Sequence, residues 1–111
     1  LAAVCRETRE ETAWVFTPEW LLGVYFWRNP RTRRTTVRFA FAGGVDGLDA
    51  TQALDTPVIG THWLTASEIR AQEARLRSPL VLRCIDDYLA GRRHALDAIN
   101  EVAQAATALR A

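Results

Sequence analysis

The sequence has no methionine anywhere in its 111 residues. A chain that includes its own translation start carries one, so coding sequence is expected upstream of Leu1. Cysteine is nearly as scarce. Cys5 and Cys84 are the only two; both fall where helices are expected and neither has a partner at metal-ligand spacing. Two buried free thiols are therefore expected, rather than a disulfide or a zinc site. Neither sign of charge dominates, since 14 basic and 13 acidic residues leave a net charge of +1. Bulk attraction to nucleic acid or to an anionic membrane is thereby excluded, and any polyanion site must be local. No apolar run is long enough to cross a bilayer, the longest being Trp20 to Trp27, and the N-terminus lacks the charged-then-apolar layout of a signal peptide. A soluble, cytoplasmic protein is the expectation.

What is present suits one globular domain: 49% of residues are hydrophobic and 24% charged. Leu1, Val4, Cys5, Thr8 and Thr12 recur at helical spacing and predict a helix already running at the first residue. Trp20 to Trp27 is apolar on both alternations, as in a strand covered on both faces, with Tyr25 and Phe26 pointing to opposite sides. Thr36 to Phe41 reads as a second strand, with Val37, Phe39 and Phe41 on one face and Arg38 and Ala40 on the other. The stretch "RNPRTRR" between them reads as a hairpin loop. Gly43 to Pro57, with three glycines and three aspartates, reads as a long loop.

Val58 to Leu64 reads as a further strand. A helix from Ala66 follows, opened by a capping box of Thr65 and Glu68 with Leu64 and Ile69 as its hydrophobic staple. A later helix has Ser78 as its cap and Pro79 at its first position; Leu80, Val81, Cys84, Ile85, Tyr88 and Leu89 form its stripe, and Gly91 its stop. From Ala95 onward an alanine-rich segment has good helix propensity but a thin stripe, as in a docked helix or a tail. Helix, strands, then helices, without βαβ alternation, predict a mixed sheet with helices against it.

The stretch "RETREETAW", Arg6 to Trp14, is the most heavily charged. At about 100° per residue, Glu7, Glu10 and Glu11 fall within roughly a 100° arc of one helix face. Like charges three and four residues apart repel by about 0.2–0.5 kcal/mol per pair. A divalent cation reverses that sign, because hard cations such as magnesium take oxygen ligands and one rigid helical turn supplies several. A merely solvated helix face has the same spacing, so the residues alone leave both readings open.

"RETREETAW" resembles the C-terminal part of the Nudix box, whose pattern runs Gly, five residues, Glu, seven residues, Arg-Glu, aliphatic, any, Glu-Glu, any, Gly, aliphatic. Arg6-Glu7 and Glu10-Glu11 match it, with Thr8 at the aliphatic place, Ala13 at the usual glycine and Trp14 at the final aliphatic position. "VRFAFAG", "HWLTASEI" and "RLRSPLVLRCIDDYLAG" are similar in order and spacing to a bacterial Nudix subgroup, the NudJ-like phosphatases. The resemblance covers roughly Leu1 to Leu96. It implies an α+β fold, an α/β/α sandwich with a mixed β-sheet between helices. Residues 1–96 would be the C-terminal part of a single Nudix domain and 97–111 an alanine-rich C-terminal helix or tail. Leu1 corresponds to about the tenth box position, so the resemblance also implies a chain that starts inside the motif, lacks the N-terminal strands and is inactive by itself.

The implied function is that of a pyrophosphohydrolase dependent on magnesium, or on manganese in its place. Its substrates would be nucleoside di- and triphosphates or a related small diphosphate, such as that of the thiamin pyrimidine precursor. On this resemblance Glu10 and Glu11 are metal ligands and Glu7 is a further ligand or the general base. Arg6 would hold Glu7 through a charge-assisted hydrogen bond. Asp55 is a loop carboxylate that could serve the metal, set against an ordinary turn aspartate. Arg38 and Arg77 are candidates for substrate phosphate, each set against a surface or structural role. Arg28, Arg31, Arg33 and Arg34 form the densest basic patch, either a solvated loop tip or a phosphate contact. His62 and His94 are isolated, and Trp20 and Trp63 are most simply core aromatics. Two alternatives stand: a non-catalytic Nudix-like binding module, and an RNA 5′-end pyrophosphohydrolase supported only by the basic hairpin. The expected partner is a small diphosphate or nucleotide; neither membrane nor nucleic acid is expected, and a homo-oligomer stays open.

Overall fold

The computed structural model describes residues 1–54 and 60–102. Helix α1 (Ala2–Thr12) leads through Ala13 into a long hairpin of β1 (Trp14–Arg28) and β2 (Thr35–Leu48). Helix α2 (Ala66–Arg70), a 3-10 turn (Glu73–Arg75), helix α3 (Leu80–Leu89) and a second 3-10 turn (Leu96–Ala98) follow. Helices and an antiparallel sheet make this an α+β fold.

The hairpin is closed by the expected loop. The Asn29 amide donates to the Arg34 carbonyl at 2.9 Å and the Arg33 amide to the Asn29 carbonyl at 2.8 Å. The Asn29 side-chain oxygen accepts from the amides of Arg31 and Thr32, an Asx turn that fixes the tip. The ladder then runs from Arg28↔Thr35 down to Trp14↔Leu48. This overturns the expected loop from Gly43, because β2 continues to Leu48. The glycines serve close approach: a Cβ on Gly43 would lie 2.0 Å from the Thr17 carbonyl oxygen. Opposite it stands Pro18, which has no amide to give the ladder and sits where the register shifts. Of the expected loop only Asp49 to Leu54 is irregular, and 55–57 lie outside the described residues.

The expected mixed sheet does not form among the described residues, where the sheet is two-stranded and antiparallel. The strand expected at Val58 to Leu64 is absent from 60–64, which are irregular and exposed; its first two positions lie outside the described residues. A strand must place its amides and carbonyls on a neighbour, and an exposed segment places them in water instead. One further bridge joins Leu21 to His94, each amide donating to the other's carbonyl at 2.8 Å.

The helix signals hold. The Glu68 amide donates to Thr65 Oγ1 at 3.2 Å and the Thr65 amide to the Glu68 carboxylate at 3.0 Å, completing the capping box. The Leu80 amide donates to Ser78 Oγ at 3.3 Å, so Ser78 caps α3 across Pro79. Gly91 stops that helix at φ +82°. Its amide donates to the Tyr88 carbonyl and that of Arg92 to the Asp87 carbonyl, the paired bonds of a Schellman stop. Beyond it only the turn Leu96–Ala98 is regular, and 103–111 of the alanine-rich segment lie outside the described residues.

Among the described residues the core is small: Ala13, Leu21, Leu22, Tyr25, Ala42 and Leu80 are buried, together with one charged residue, Asp87, at 7% exposure. The Tyr25 hydroxyl donates to Asp87 Oδ2 at 2.8 Å and Arg83 Nε to the same oxygen at 3.0 Å, while Arg92 Nε stands 3.8 Å from Oδ1. Cys5 and Cys84 are free thiols, half-buried rather than buried. The expectation of two covered faces on β1 holds for Tyr25 and fails for Phe26, which is 73% exposed. Val24, Val37 and Phe39 are exposed beside it, and the pairs Phe26↔Val37 and Val24↔Phe39 make one open apolar face.

Two predictions follow from this packing. Phe26→Ala is expected to cost under about 1 kcal/mol in this chain, as at an exposed site, rather than the roughly 3–5 kcal/mol of a core phenylalanine; denaturant unfolding measures it. Tyr25→Phe leaves the shape intact but removes a bond to a charged acceptor, and is expected to cost about 1.5–3 kcal/mol. Its pH signature is specific. The Tyr25 hydroxyl, before all other causes, holds the Asp87 carboxyl below its ordinary 3.8, and burial followed by Asp87 raises the phenol above its ordinary 10.0. The lowered carboxyl contributes stability above about pH 4 that is lost as pH falls through its folded value. The raised phenol contributes stability below about pH 10 that is lost as pH rises toward its folded value. Melting temperature against pH should lose part of its acid arm and its Tyr25-dependent alkaline arm in Tyr25→Phe; unchanged arms would refute the pair's role.

Candidate active site

The site begins with the way α1 ends. Thr8 Oγ1 donates to the Val4 carbonyl and Thr12 Oγ1 to the Thr8 carbonyl, and Thr12 Oγ1 also accepts the Trp14 amide at 3.1 Å. Between Thr12 and Trp14, Ala13 takes the left-handed conformation at φ 65° and is buried. Its carbonyl accepts the Asp49 amide at 2.7 Å. The exit turn is therefore pinned from both strands of the hairpin.

On this fixed helix Glu7 and Glu11 are exposed and Glu10 is half-buried. Glu10 and Glu11 occupy the last turn, where the helix dipole disfavours negative charge. Arg6 does not hold Glu7, as had been expected. Its Nε stands 3.9 Å from Glu10 Oε1 instead, because residues four apart are neighbours on a helix surface and adjacent residues are not. At that distance it is a loose ion pair and no hydrogen bond.

Glu7 lines a cleft of about 420 Å³ between α1 and β2, shared with Val4, Val37, Arg38, Phe39 and Ile99 among others. Arg38 borders that cleft through its place in β2, but its pairing with Tyr25 puts its side chain on the α3 face of the hairpin, opposite that of Val37 and Phe39. Arg38 is also near enough to α3 for its charge to act on Cys84, whose thiol is nonetheless pushed up, chiefly by burial. Arg77 is exposed and lines a separate cleft of about 280 Å³ with Glu73, Ser78 and Leu82; it shares no lining residue with that of Glu7. Asp55 lies outside the described residues. His62 and Trp63 line a third cleft, of about 170 Å³, against Thr8, Thr12 and Trp14. There Trp63 packs edge-on against Trp14 at 5.5 Å, yet is 69% exposed, so it is not the core aromatic expected.

Among the described residues no three acidic, histidine or cysteine side chains converge on one point as metal ligands. The donor chemistry of α1 nevertheless suits magnesium, which takes one or two carboxylates, keeps several waters and completes its shell with substrate phosphates. Glu7 with Glu10 or Glu11 offers such a pair, oxygen-only and open to water.

No family model matches the chain. It is 33% identical over 99 residues to the phosphatase NudJ of Escherichia coli K12, covering 89% of this chain and 63% of that protein, and equally to NudJ of Shigella flexneri. It is 42% identical to a NUDIX hydrolase from Nitrosomonas europaea of known structure, with a TM-score of 0.84 over 88% of this chain and 66% of that one. The α1–hairpin–α3 arrangement and these similarities place the chain in the Nudix family. Within that family it is NudJ-like, and it spans about 63% of the length of the curated relatives it matches.

The left-handed Ala13 carries its own test. Ala13→Gly relieves the clash of a Cβ at positive φ, partly offset by the freer unfolded chain and the lost methyl, and is expected to stabilise by about 0.5–1 kcal/mol. A melting temperature that fails to rise would show that the turn is not strained.

Proposed function

We propose that residues 1–96 form part of a magnesium-dependent Nudix pyrophosphohydrolase of the cytoplasm, acting on nucleoside di- and triphosphates or a related small diphosphate. The observation that carries this is that Glu7, Glu10 and Glu11 stand on one fixed helix, with Glu7 lining an open cleft against β2. No helix among the described residues is long and apolar enough to cross a membrane, which is compatible with that compartment.

In this reading Glu10 and Glu11 hold the cation, with Glu7 as a third ligand or as the base that takes a proton from the attacking water. When bound, magnesium neutralises phosphate charge and acidifies water. The chain's own contribution is positioning. Ala13 and its hydrogen bonds fix the direction of α1, Arg6 partly neutralises Glu10, and Arg38, exposed on β2 beside the cleft, would have to swing round the strand to reach a substrate phosphate. The second reading is a non-catalytic Nudix-like binding module. Magnesium that arrives with a phosphate ligand needs only one or two carboxylates from the chain.

Glu11→Gln decides between the two readings, because it keeps shape and helix propensity but removes a charge and weakens an oxygen ligand. In the protein that carries this chain, diphosphate hydrolysis against magnesium concentration is expected to fall by orders of magnitude. Magnesium should also raise the melting temperature of the parent more than that of the variant. Full activity with an unchanged magnesium dependence would remove Glu11 from the metal site.

A further inference from the structure

We propose that the β1–β2 hairpin tip is a phosphate-binding arm that receives the backbone of a single-stranded oligonucleotide. From Trp20 to Val45 the chain has no carboxylate and five arginines, Arg28, Arg31, Arg33, Arg34 and Arg38. All five are exposed. The ion pairs among the described residues use Arg6, Arg70, Arg83 and Arg92, and none of these five. A net charge of +1 therefore conceals one strongly positive element.

The tip is built to present that charge. The Asn29 side chain and the Arg33 and Arg34 backbone bonds fix it, with Arg33 held in the left-handed region at φ 61°. A preformed loop loses less freedom on binding than a mobile tail. Guanidinium groups match phosphate oxygens two at a time. Phe26, two residues from Arg28 and 73% exposed, adds an aromatic surface of the kind on which unpaired bases stack, which favours nucleic acid over an acidic peptide.

Position supplies the remaining link. Thr36 and Val37 line the Glu7 cleft, and Arg34 lies two residues before Thr36, roughly 7 Å along an extended strand. A mononucleotide seated at the carboxylates leaves the tip free, whereas an oligonucleotide with its 5′ end there runs along the arm. The reach rests on the diphosphate site proposed above; the arm itself does not.

The test is fluorescence anisotropy with a 5′-phosphorylated single-stranded RNA decamer labelled at its 3′ end, against GDP as a competitor of mononucleotide size. The variant is R31S/R33N/R34S, with circular dichroism to confirm its fold. Each phosphate contact on a single strand contributes about −0.7 to the slope of log affinity against log salt. The triple variant is therefore expected to lower that slope by about 2 and weaken RNA at least ten-fold, leaving GDP unchanged. Equal RNA binding by parent and variant, RNA bound no better than GDP, or arm-dependent binding only to phosphatidylserine vesicles would overturn the proposal. Arm-dependent RNA binding without any GDP binding would support the arm and refute the nucleotide site.

Discussion

Among the described residues Asp87 is the one charged side chain in the core, and the arrangement of α3 and its stop depends on satisfying it. A carboxylate taken out of water must be given donors. Tyr25 toward the end of β1 and Arg83 one turn earlier on α3 both donate to Oδ2, so helix and hairpin are joined by direction as well as by apolar contact. The Asp87 backbone carbonyl meanwhile accepts the Arg92 amide that turns the chain at Gly91. That turn carries Arg93 over the Trp20 ring at 4.2 Å and His94 into its bridge with Leu21. Tyr88, stacked on Trp20 with centroids 6.3 Å apart, completes the contact. One residue thus links a helix, its stop and the edge of a strand.

How much of this was legible in the sequence depends on whether the cause was local. The Thr65–Glu68 box, the Ser78 cap, the Gly91 stop and the Asn29 loop lie within a few residues of their effects, and each forms where expected. The long β2 and the bare Phe26 face do not have local causes. Gly43 and Gly44 have the composition of a turn, and only the approach of Thr17 and Pro18 from the other strand makes them strand residues. The apolar alternation of Trp20 to Trp27 reports which residues can be buried, while burial itself depends on what packs above them. Asp87 is hard to read as a core residue from sequence, because an acidic residue beside Tyr88 resembles the edge of an apolar stripe. Its helical spacing from Leu80 and Cys84 was the available signal.

The site divides in the same way. A short motif on one helix needs only helical geometry to place Glu7, Glu10 and Glu11 together, and the family resemblance gave that geometry a chemistry. Arg6 went to Glu10 because helix neighbours lie four apart, a rule that needs no tertiary structure. Arg38 and Arg77, by contrast, were alike as sequence candidates. The first borders the Glu7 cleft from β2 while strand pairing with Tyr25 turns its side chain toward α3, and the second, just before α3, lines another cleft. Such a distinction depends on topology and cannot be read from residue type.

Charge layout ties the two halves together. Glu10 and Glu11 sit at the helix end where the dipole opposes them, and beside Glu7, which repels both. Arg9 in the same turn offsets part of that cost, and Arg6 pairs with Glu10 only loosely. The neighbouring strand β2, meanwhile, carries arginine and no acid until Asp46. Had stability been the only requirement, interleaving these charges would have served it better, since opposite signs a few ångströms apart would neutralise each other at no cost in fold. On the function proposed above, the segregation has a use: the carboxylates of α1 would be relieved by a cation and the arginines of the hairpin by an anion. A phosphate carrying its own divalent cation would then relieve both at once, which neither species alone would do.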